Sequence, residues 1–174
     1  ADGRSRLQPG RDRVVVGLID SGIQPSLDID ASRIDAFYDF TQGGRPASPS
    51  DGYGHGTHVA GIIGGDGDLS GDRYQGIAPR VHFLGFKVLD EHGEGYTSDV
   101  IAAIDYAVAN RTRLRLRVLN LSLGHPVLEP AATDPLVQAV ERATHCARRA
   151  VTSRGRRRSP CGRRRRTCAA TRRA

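Results

Sequence analysis

The chain has 174 residues, enough for about one domain with a buried core. No apolar run reaches the roughly 18 residues of a membrane span, and the first residues lack the apolar segment of a signal peptide, so neither is predicted. The net charge of +7 is uneven, because residues 142–174 carry 13 arginines and no acid, whereas all 19 acidic residues precede them.

The first half of the chain alternates strand and helix. VVVGLI (residues 14–19) is a continuous apolar run, typical of a strand covered on both faces of a parallel sheet, and it ends in the turn Asp20-Ser21-Gly22. After a polar loop rich in Gly and Pro, the sequence predicts a helix from about His55 to Ile63. VHFLGFKVL (residues 81–89) predicts a second buried strand.

The second half repeats this alternation. Thr97-Ser98-Asp99 is a good N-cap cluster for a helix over residues 100–110, and LRLRVLNLSL (residues 114–123) predicts a third strand. Thr133-Asp134-Pro135 starts another helix, with proline in its first turn. The order β-α-β-α-β-α predicts an α/β fold with a parallel sheet and right-handed crossovers.

The last part of the chain differs in composition from the rest. Residues 145–174 contain no acidic and no aromatic residue, so they cannot bury enough apolar surface to offset the entropy lost on ordering. We therefore expect a domain over residues 1–144 and a disordered, Arg-rich tail over residues 145–174. The only cysteines, Cys146, Cys161 and Cys168, lie in the tail, and three is an odd number for a disulfide framework.

Two kinds of ionisable side chain stand at the predicted carboxyl edge of the sheet. Asp20 closes the first strand, where ligands of parallel α/β sheets bind. His55 begins the first helix, whose positive dipole end disfavours a protonated imidazole and so suits a general base. Taken singly, Asp20 is a turn residue and His55 and His58 are structural histidines. A zinc site is a weak alternative, because the glutamate of H-E-x-x-H is absent.

The combination of these motifs is more specific. Asp20-Ser21-Gly22 after a strand, followed by His55-Gly56-Thr57-His58-Val59-Ala60-Gly61, resembles the subtilisin-like serine proteases, or subtilases. GIAP (residues 76–79), KVLDEHGEGYTSDVIAAIDYAV (87–108) and LNLSLG (119–124) extend the resemblance to about residues 13–144. It implies a three-layer, subtilisin-like parallel-sheet fold that is incomplete on its C-terminal side, and a secreted serine endopeptidase activity.

The resemblance also implies roles for individual residues. Asp20 would orient the imidazole, His55 would be the general base, and His58 would be structural. Gly93-Glu94-Gly95 and Ser122-Leu123-Gly124 would bind an extended polypeptide substrate between them as added strands.

The resemblance bears on cofactors and partners as well. No cofactor and no catalytic metal is expected. Asp28 lies where many subtilases place a calcium ligand, but the loop over residues 66–76 does not clearly supply the rest of such a site, so structural calcium stays open. We expect a monomer with no membrane or nucleic-acid partner, and the sequence leaves maturation by a propeptide open.

Two parts of a subtilase site are missing from residues 1–174. These are the oxyanion asparagine of an Ala-Gly-Asn motif and the nucleophile of a Gly-Thr-Ser motif. Counting without gaps from AVERA (residues 139–143) puts Arg154-Gly155-Arg156 where the asparagine motif is expected. Ser153 and Ser159 lie in the Arg-rich tail without a supporting motif. We therefore expect this polypeptide to be inactive as a protease.

The tail leaves alternatives open. A shift of the coding frame near Thr144 would explain it, because CGT arginine codons read one base later become GTC valine codons. Alternatively, the 12 arginines from Arg148 to Arg173 contact nucleic acid, although no aromatic residue is interleaved for base stacking. A third alternative is a non-catalytic pseudoprotease that binds peptides through residues 93–95 and 122–124.

Overall fold

The protein is described by a computed structural model over residues 13–126 and 129–152. Its elements in chain order are β1 (Val15–Asp20), β2 (Ile34–Asp39), β3 (Arg45–Pro46), α1 (His55–Gly64), β4 (His82–Lys87), α2 (Thr97–Asn110), β5 (Leu116–Leu121) and α3 (Pro135–Thr152). Short 3-10 helices span Ala31–Arg33 and Asp68–Ser70. The predicted α/β class is confirmed, and β2 and β3 are additions to the predicted order.

The five strands form one sheet in the order β3-β2-β4-β1-β5. β1 pairs in parallel with β4 and with β5, and β4 pairs in parallel with β2, whereas the short β3 is antiparallel. Every residue of β1 is buried. Because β4 and β5 flank β1, the segments that leave these two strands emerge on either side of the carboxyl end of β1.

Helices cover both faces of the sheet, as the three-layer prediction requires. Val15 and Ile19 of β1 belong to the core cluster that includes residues of α2 and α3. Val16 and Leu18 belong to the cluster on the α1 side. Successive side chains of a strand alternate between faces, so Asp20 shares the face of Val16 and Leu18 and points toward α1.

The sequence did not predict β2, because aspartate is depleted in strands and β2 holds two. Asp35 is compensated by an ion pair with Arg13 and by His82 Nδ1 at 2.9 Å from its Oδ1. Asp39 lies at the end of β2, where its Oδ1 accepts hydrogen bonds from the backbone N–H and the hydroxyl of Thr41.

Two helix boundaries differ from the predictions. The cap of α2 is Tyr96, without a side-chain bond, so Thr97-Ser98-Asp99 form the first turn instead of the cap. Helix α3 starts as predicted, with Asp134 Oδ1 accepting the N–H groups of Leu136 and Val137. It continues to Thr152, so residues 145–152 are helical where disorder was expected. The rest of the tail, including the four residues Ser153, Arg154, Arg156 and Ser159, lies outside the described residues.

Strand β5 is the last strand of the described sheet and pairs with β1 alone. Its side chains are less buried than those of β1, and Val118 is 50% exposed. Arg115, which precedes β5, and Arg117, which lies in it, are both exposed. Within the described ranges, no helix has the length and apolar character needed to cross a bilayer.

Candidate active site

Asp20 and His55 meet at the carboxyl edge of the sheet. The Nδ1 atom of His55 lies 2.7 Å from Oδ1 of Asp20, and the same oxygen accepts the backbone N–H of Ser21 at 2.7 Å. Asp20 is 1% exposed. The predicted contact between the two side chains is therefore present in the structure.

The contact fixes the chemistry of the imidazole. The buried carboxylate of Asp20 accepts the hydrogen bond from Nδ1 of His55, so Nδ1 carries the proton. The neutral ring then has its lone pair at Nε2. The side chain of His55 is 40% exposed, and Nε2 forms no hydrogen bond with any group in the described part of the chain. An oriented imidazole with an open Nε2 is the geometry of a general base.

The second oxygen of Asp20 has no partner. Oδ2 is buried and accepts no hydrogen bond from any described group. A buried acceptor without a partner is costly, and native structures hold few of them. The unpaired oxygen adds to the inference that Asp20 serves the site and not the stability of the turn.

Two glycines allow the start of α1 to approach the end of β1. A Cβ on Gly56 would lie 2.2 Å from the carbonyl oxygen of Gly22 and 3.1 Å from Cβ of Asp20. Gly22 itself has φ +139°, and a Cβ there would lie 2.0 Å from the carbonyl oxygen of Ser50. These backbone contacts bring His55 within reach of Asp20.

Lys87 and Asp51 support this arrangement, and the sequence analysis missed both. Lys87 ends β4 beside Asp20, and its Nζ donates to the carbonyl oxygens of Ser21 and Leu89 at 2.8 and 2.6 Å. Asp51 precedes α1 by four residues and accepts three hydrogen bonds at the first turn of that helix. Lys87 bonds Ser21, which is distant in sequence, and Asp51 bonds across the turn that leads into α1, so no periodicity signals either residue.

Because of Asp51, the free energy of unfolding depends on pH in the acid range. Burial acts to raise the pKa of this carboxyl, but hydrogen bonds from the Thr57 hydroxyl and the N–H groups of Gly54 and Thr57 outweigh burial and lower the pKa below 3.8. The folded state thus binds the proton less tightly than the unfolded chain. The contribution is fully present above about pH 3.8 and is lost as the pH falls through the lowered pKa.

We therefore expect the stability difference between the parent and Asp51→Asn to shrink on acidification. Unfolding by denaturant should be compared at about pH 6 and about pH 3. Asp30 and Asp90 also have lowered pKa values, so the pH dependence of the parent alone does not isolate the contribution of Asp51. The stability difference between the parent and Asp51→Asn does isolate it. A difference that stays constant across this range would contradict the assignment.

The predicted substrate segments flank Asp20. Residues 93–95 follow β4 and residues 122–124 follow β5, on the two sides of β1. The backbone of residues 122–124 bonds to no other described backbone group, whereas the N–H and carbonyl of Glu94 are both engaged by Asp90. Residues 93–95 form a loop and not a strand, and their role in substrate binding stays a prediction.

Tyr53 lies between the histidine and the first of these segments. Its ring is 52% exposed and its centroid lies 6.5 Å from that of His55. Gly93 has φ +78°, and a Cβ there would lie 2.6 Å from the Tyr53 ring. Gly93 thus needs to be glycine both for its backbone conformation and for this contact.

We expect Gly93→Ala to destabilise the protein by about 1–2 kcal/mol through its positive φ alone. Displacement of the tyrosine ring adds a further cost, so the loss should be smaller in a Tyr53→Ala background, with a coupling of at least about 0.5 kcal/mol. Denaturant unfolding of the four proteins of this cycle measures it. Equal losses in both backgrounds would show that the ring contact has no energetic weight.

Two further residues that the sequence analysis singled out, His58 and Asp28, lie outside the Asp20–His55 pair. His58 is exposed, and no group of three or more metal-binding side chains occurs among the described residues. Asp28 Oδ1 accepts the N–H of Leu69 at 2.7 Å, and the Asp28 carbonyl oxygen accepts from the guanidinium of Arg33. Arg33 also bonds the carbonyl oxygens of Gly64 and Val81. The guanidinium of Arg33 thus engages main-chain oxygens and not the Asp28 carboxylate, and structural calcium stays a prediction.

Comparisons with known proteins agree with the site geometry. The Peptidase_S8 profile, described as the subtilase family, matches residues 11–163. Serine protease AprX of Bacillus subtilis (strain 168) is 34% identical over 135 residues, which are 75% of this chain and 30% of AprX. Subtilisin DY of Bacillus licheniformis is 36% identical over 131 residues, 75% of this chain and 42% of that protein.

The solved structures give the same relationship. A cold adapted subtilisin-like serine proteinase matches with a TM-score of 0.59 and 33% identity, over 76% of this chain and 43% of that one. The CspB protease of Clostridium perfringens, at 21% identity and a TM-score of 0.63, shows the fold alone. The chain spans less than half the length of each of these relatives.

Proposed function

This chain belongs to the subtilase family, and from that membership we propose that its described residues form the acid–base half of a serine endopeptidase site. The contact of 2.7 Å between His55 Nδ1 and Asp20 Oδ1 carries the proposal. Asp20 holds the imidazole in one tautomer and stabilises its cation. His55 takes the proton of a serine hydroxyl at Nε2 and later returns it to the leaving amine.

The serine itself is not supplied by residues 1–174. No Gly-Thr-Ser and no Ala-Gly-Asn sequence occurs among them. We propose that this polypeptide by itself does not hydrolyse peptides. In a site completed by a serine, the substrate would be an extended polypeptide bound between residues 93–95 and residues 122–124, and this placement is supported by their positions on either side of Asp20.

A labelling experiment on the full chain tests this proposal. We expect neither reaction with an alkyl fluorophosphonate nor hydrolysis of casein, because both need an activated serine. Labelling of a serine in the parent, abolished by His55→Ala, would overturn the proposed inactivity. Affinity for an extended peptide without turnover would favour the pseudoprotease alternative.

The Arg-rich tail supports a second, competing proposal. Binding of nucleic acid by its arginines would show affinity that falls steeply with salt and disappears on deletion of residues 145–174. A frame shift near Thr144 is the other explanation, and sequencing the locus decides it, because an uninterrupted frame through Arg173 removes it.

Secretion is also a proposal. It is supported by the minor extracellular protease Epr of Bacillus subtilis (strain 168), which is 36% identical to this chain over 111 residues. A monomeric state stays a prediction, and maturation by a propeptide stays open.

A further inference from the structure

We propose that Asp51 is a positioning residue. It holds the first turn of α1 near the end of β1 and thereby keeps His55 in hydrogen-bonding contact with Asp20. Its catalytic meaning rests on the proposed function, but the positioning itself does not. Asp51 touches neither Asp20 nor the imidazole by any hydrogen bond described. It acts through the backbone that carries His55.

The carboxylate of Asp51 accepts hydrogen bonds from residues on both sides of His55. Oδ1 accepts the N–H of Gly54 at 2.8 Å. Oδ2 accepts the N–H of Thr57 at 2.8 Å and its hydroxyl at 2.6 Å. The first N–H groups of a helix have no partner within the helix, so an external acceptor fixes the position of this turn.

Two hydroxyls connect the same turn to the residues after β1. Thr57 Oγ1, which donates to Asp51, accepts the backbone N–H of Gln24 at 2.9 Å. Ser21 Oγ accepts the backbone N–H of Gly56 at 3.0 Å. The network thus joins the segment that follows Asp20 to the turn that carries His55.

Aspartate suits this position better than its neutral isostere. Both oxygens of Asp51 accept hydrogen bonds, whereas asparagine has only one acceptor oxygen. The NH2 group of asparagine would face the N–H or O–H groups that donate to Asp51 and could not bond them. A negative charge near the N-terminus of α1 also interacts favourably with the helix dipole. Asp51→Asn should therefore loosen the first turn without changing the volume of the side chain.

The tautomer of His55 reports the effect directly. Carbon-bound ring protons correlated with the ring nitrogens by NMR show which nitrogen carries the proton when the imidazole is neutral. In the full-length parent chain we expect the Nδ1–H form, held by Asp20. In Asp51→Asn we expect the ratio of the Nδ1–H to the Nε2–H form to fall about tenfold, the factor that corresponds to loss of one good cap.

A matched control separates positioning from general destabilisation. Asp30 also caps a helix, the 3-10 helix at Ala31–Arg33, with its Oδ1 accepting the N–H of Ser32. Asp30→Asn should leave the tautomer ratio of His55 unchanged. Thr57→Val, which keeps the shape but removes the hydroxyl bonds to Asp51 and Gln24, is the second test variant and should shift the ratio in the same direction.

The outcomes are distinguishable. An unchanged ratio in folded Asp51→Asn and Thr57→Val would overturn the positioning role and leave the proposed function intact. Joint loss of the Nδ1–H form and of amide-exchange protection in β1 and β4 would also overturn it, since that pattern marks a purely structural residue. Absence of the Nδ1–H form in the parent would contradict the dyad itself, and with it the proposed function.

Discussion

We expect replacement of His55 by alanine, in a completed catalytic domain, to lower kcat by about 2 × 10⁶, if the residue has the weight of the histidine of subtilisin. The completed domain joins residues 13–144 to the C-terminal part of Subtilisin DY, which is 36% identical over the shared region. Without the imidazole no group removes the serine proton, and the exposed Nε2 position has no substitute among the described residues. Asp20→Asn should cost less, on the order of 3 × 10⁴.

His58→Ala is the matched control for this result. His58 lies one turn further along α1, is exposed, and makes no contact with Asp20. Its loss should change kcat by less than about twofold, as is usual for exposed positions away from a site. Steady-state hydrolysis of a chromogenic peptide measures all three variants. A loss at His58 comparable to that at His55 would exchange their assigned roles.

Replacing Gly56 by alanine is expected to have the largest effect on the fold near the site. The new Cβ would lie 2.2 Å from the carbonyl oxygen of Gly22, and backbone on both sides leaves no flexible group to move. Helix α1 must shift away from β1, which costs about 3 kcal/mol or more in stability and separates His55 from Asp20.

Gly61 provides the control within the same helix. A Cβ at Gly61 meets nothing within 4 Å, so Gly61→Ala should stabilise the protein by about 0.5–1 kcal/mol through helix propensity. Denaturant unfolding gives the two free energies, and the His55 tautomer reports the dyad. Similar free-energy changes for the two variants would refute the close backbone contact as the reason for Gly56.

The sequence was sufficient to predict the parts of the site that depend on local pattern. A continuous apolar run ending in Asp20 marks a central buried strand, and His55 opens an amphipathic, glycine-rich helix. Alternate side chains of β1 point to opposite faces of the sheet, and each set contacts one layer of helices. This alternation determines which face Asp20 occupies. These local features place both residues at the carboxyl edge of the sheet, whereas their pairing, and the choice of His55 over His58, came from the resemblance to subtilases.

The supporting residues could not be predicted in this way. Lys87 and Arg33 act through hydrogen bonds to backbone groups that are remote in sequence and come together only in the folded chain, whereas Asp51 bonds groups three and six residues away across a turn. Strand β2 was missed for a related reason, since Asp35 is acceptable in a strand only because Arg13 and His82 are placed beside it. Polar residues whose partners are remote leave no periodic signal.

The open edge of β5 has a consequence for handling the protein. On its side away from β1, β5 pairs with no strand among the described residues, and such an edge, with a half-exposed Val118, is a template on which further copies of the chain could add and aggregate. Arg115, just before β5, and Arg117, within it, are exposed and bring like charges together whenever two such edges approach. These arginines act as gatekeepers for solubility, and their protection weakens as added salt screens their repulsion.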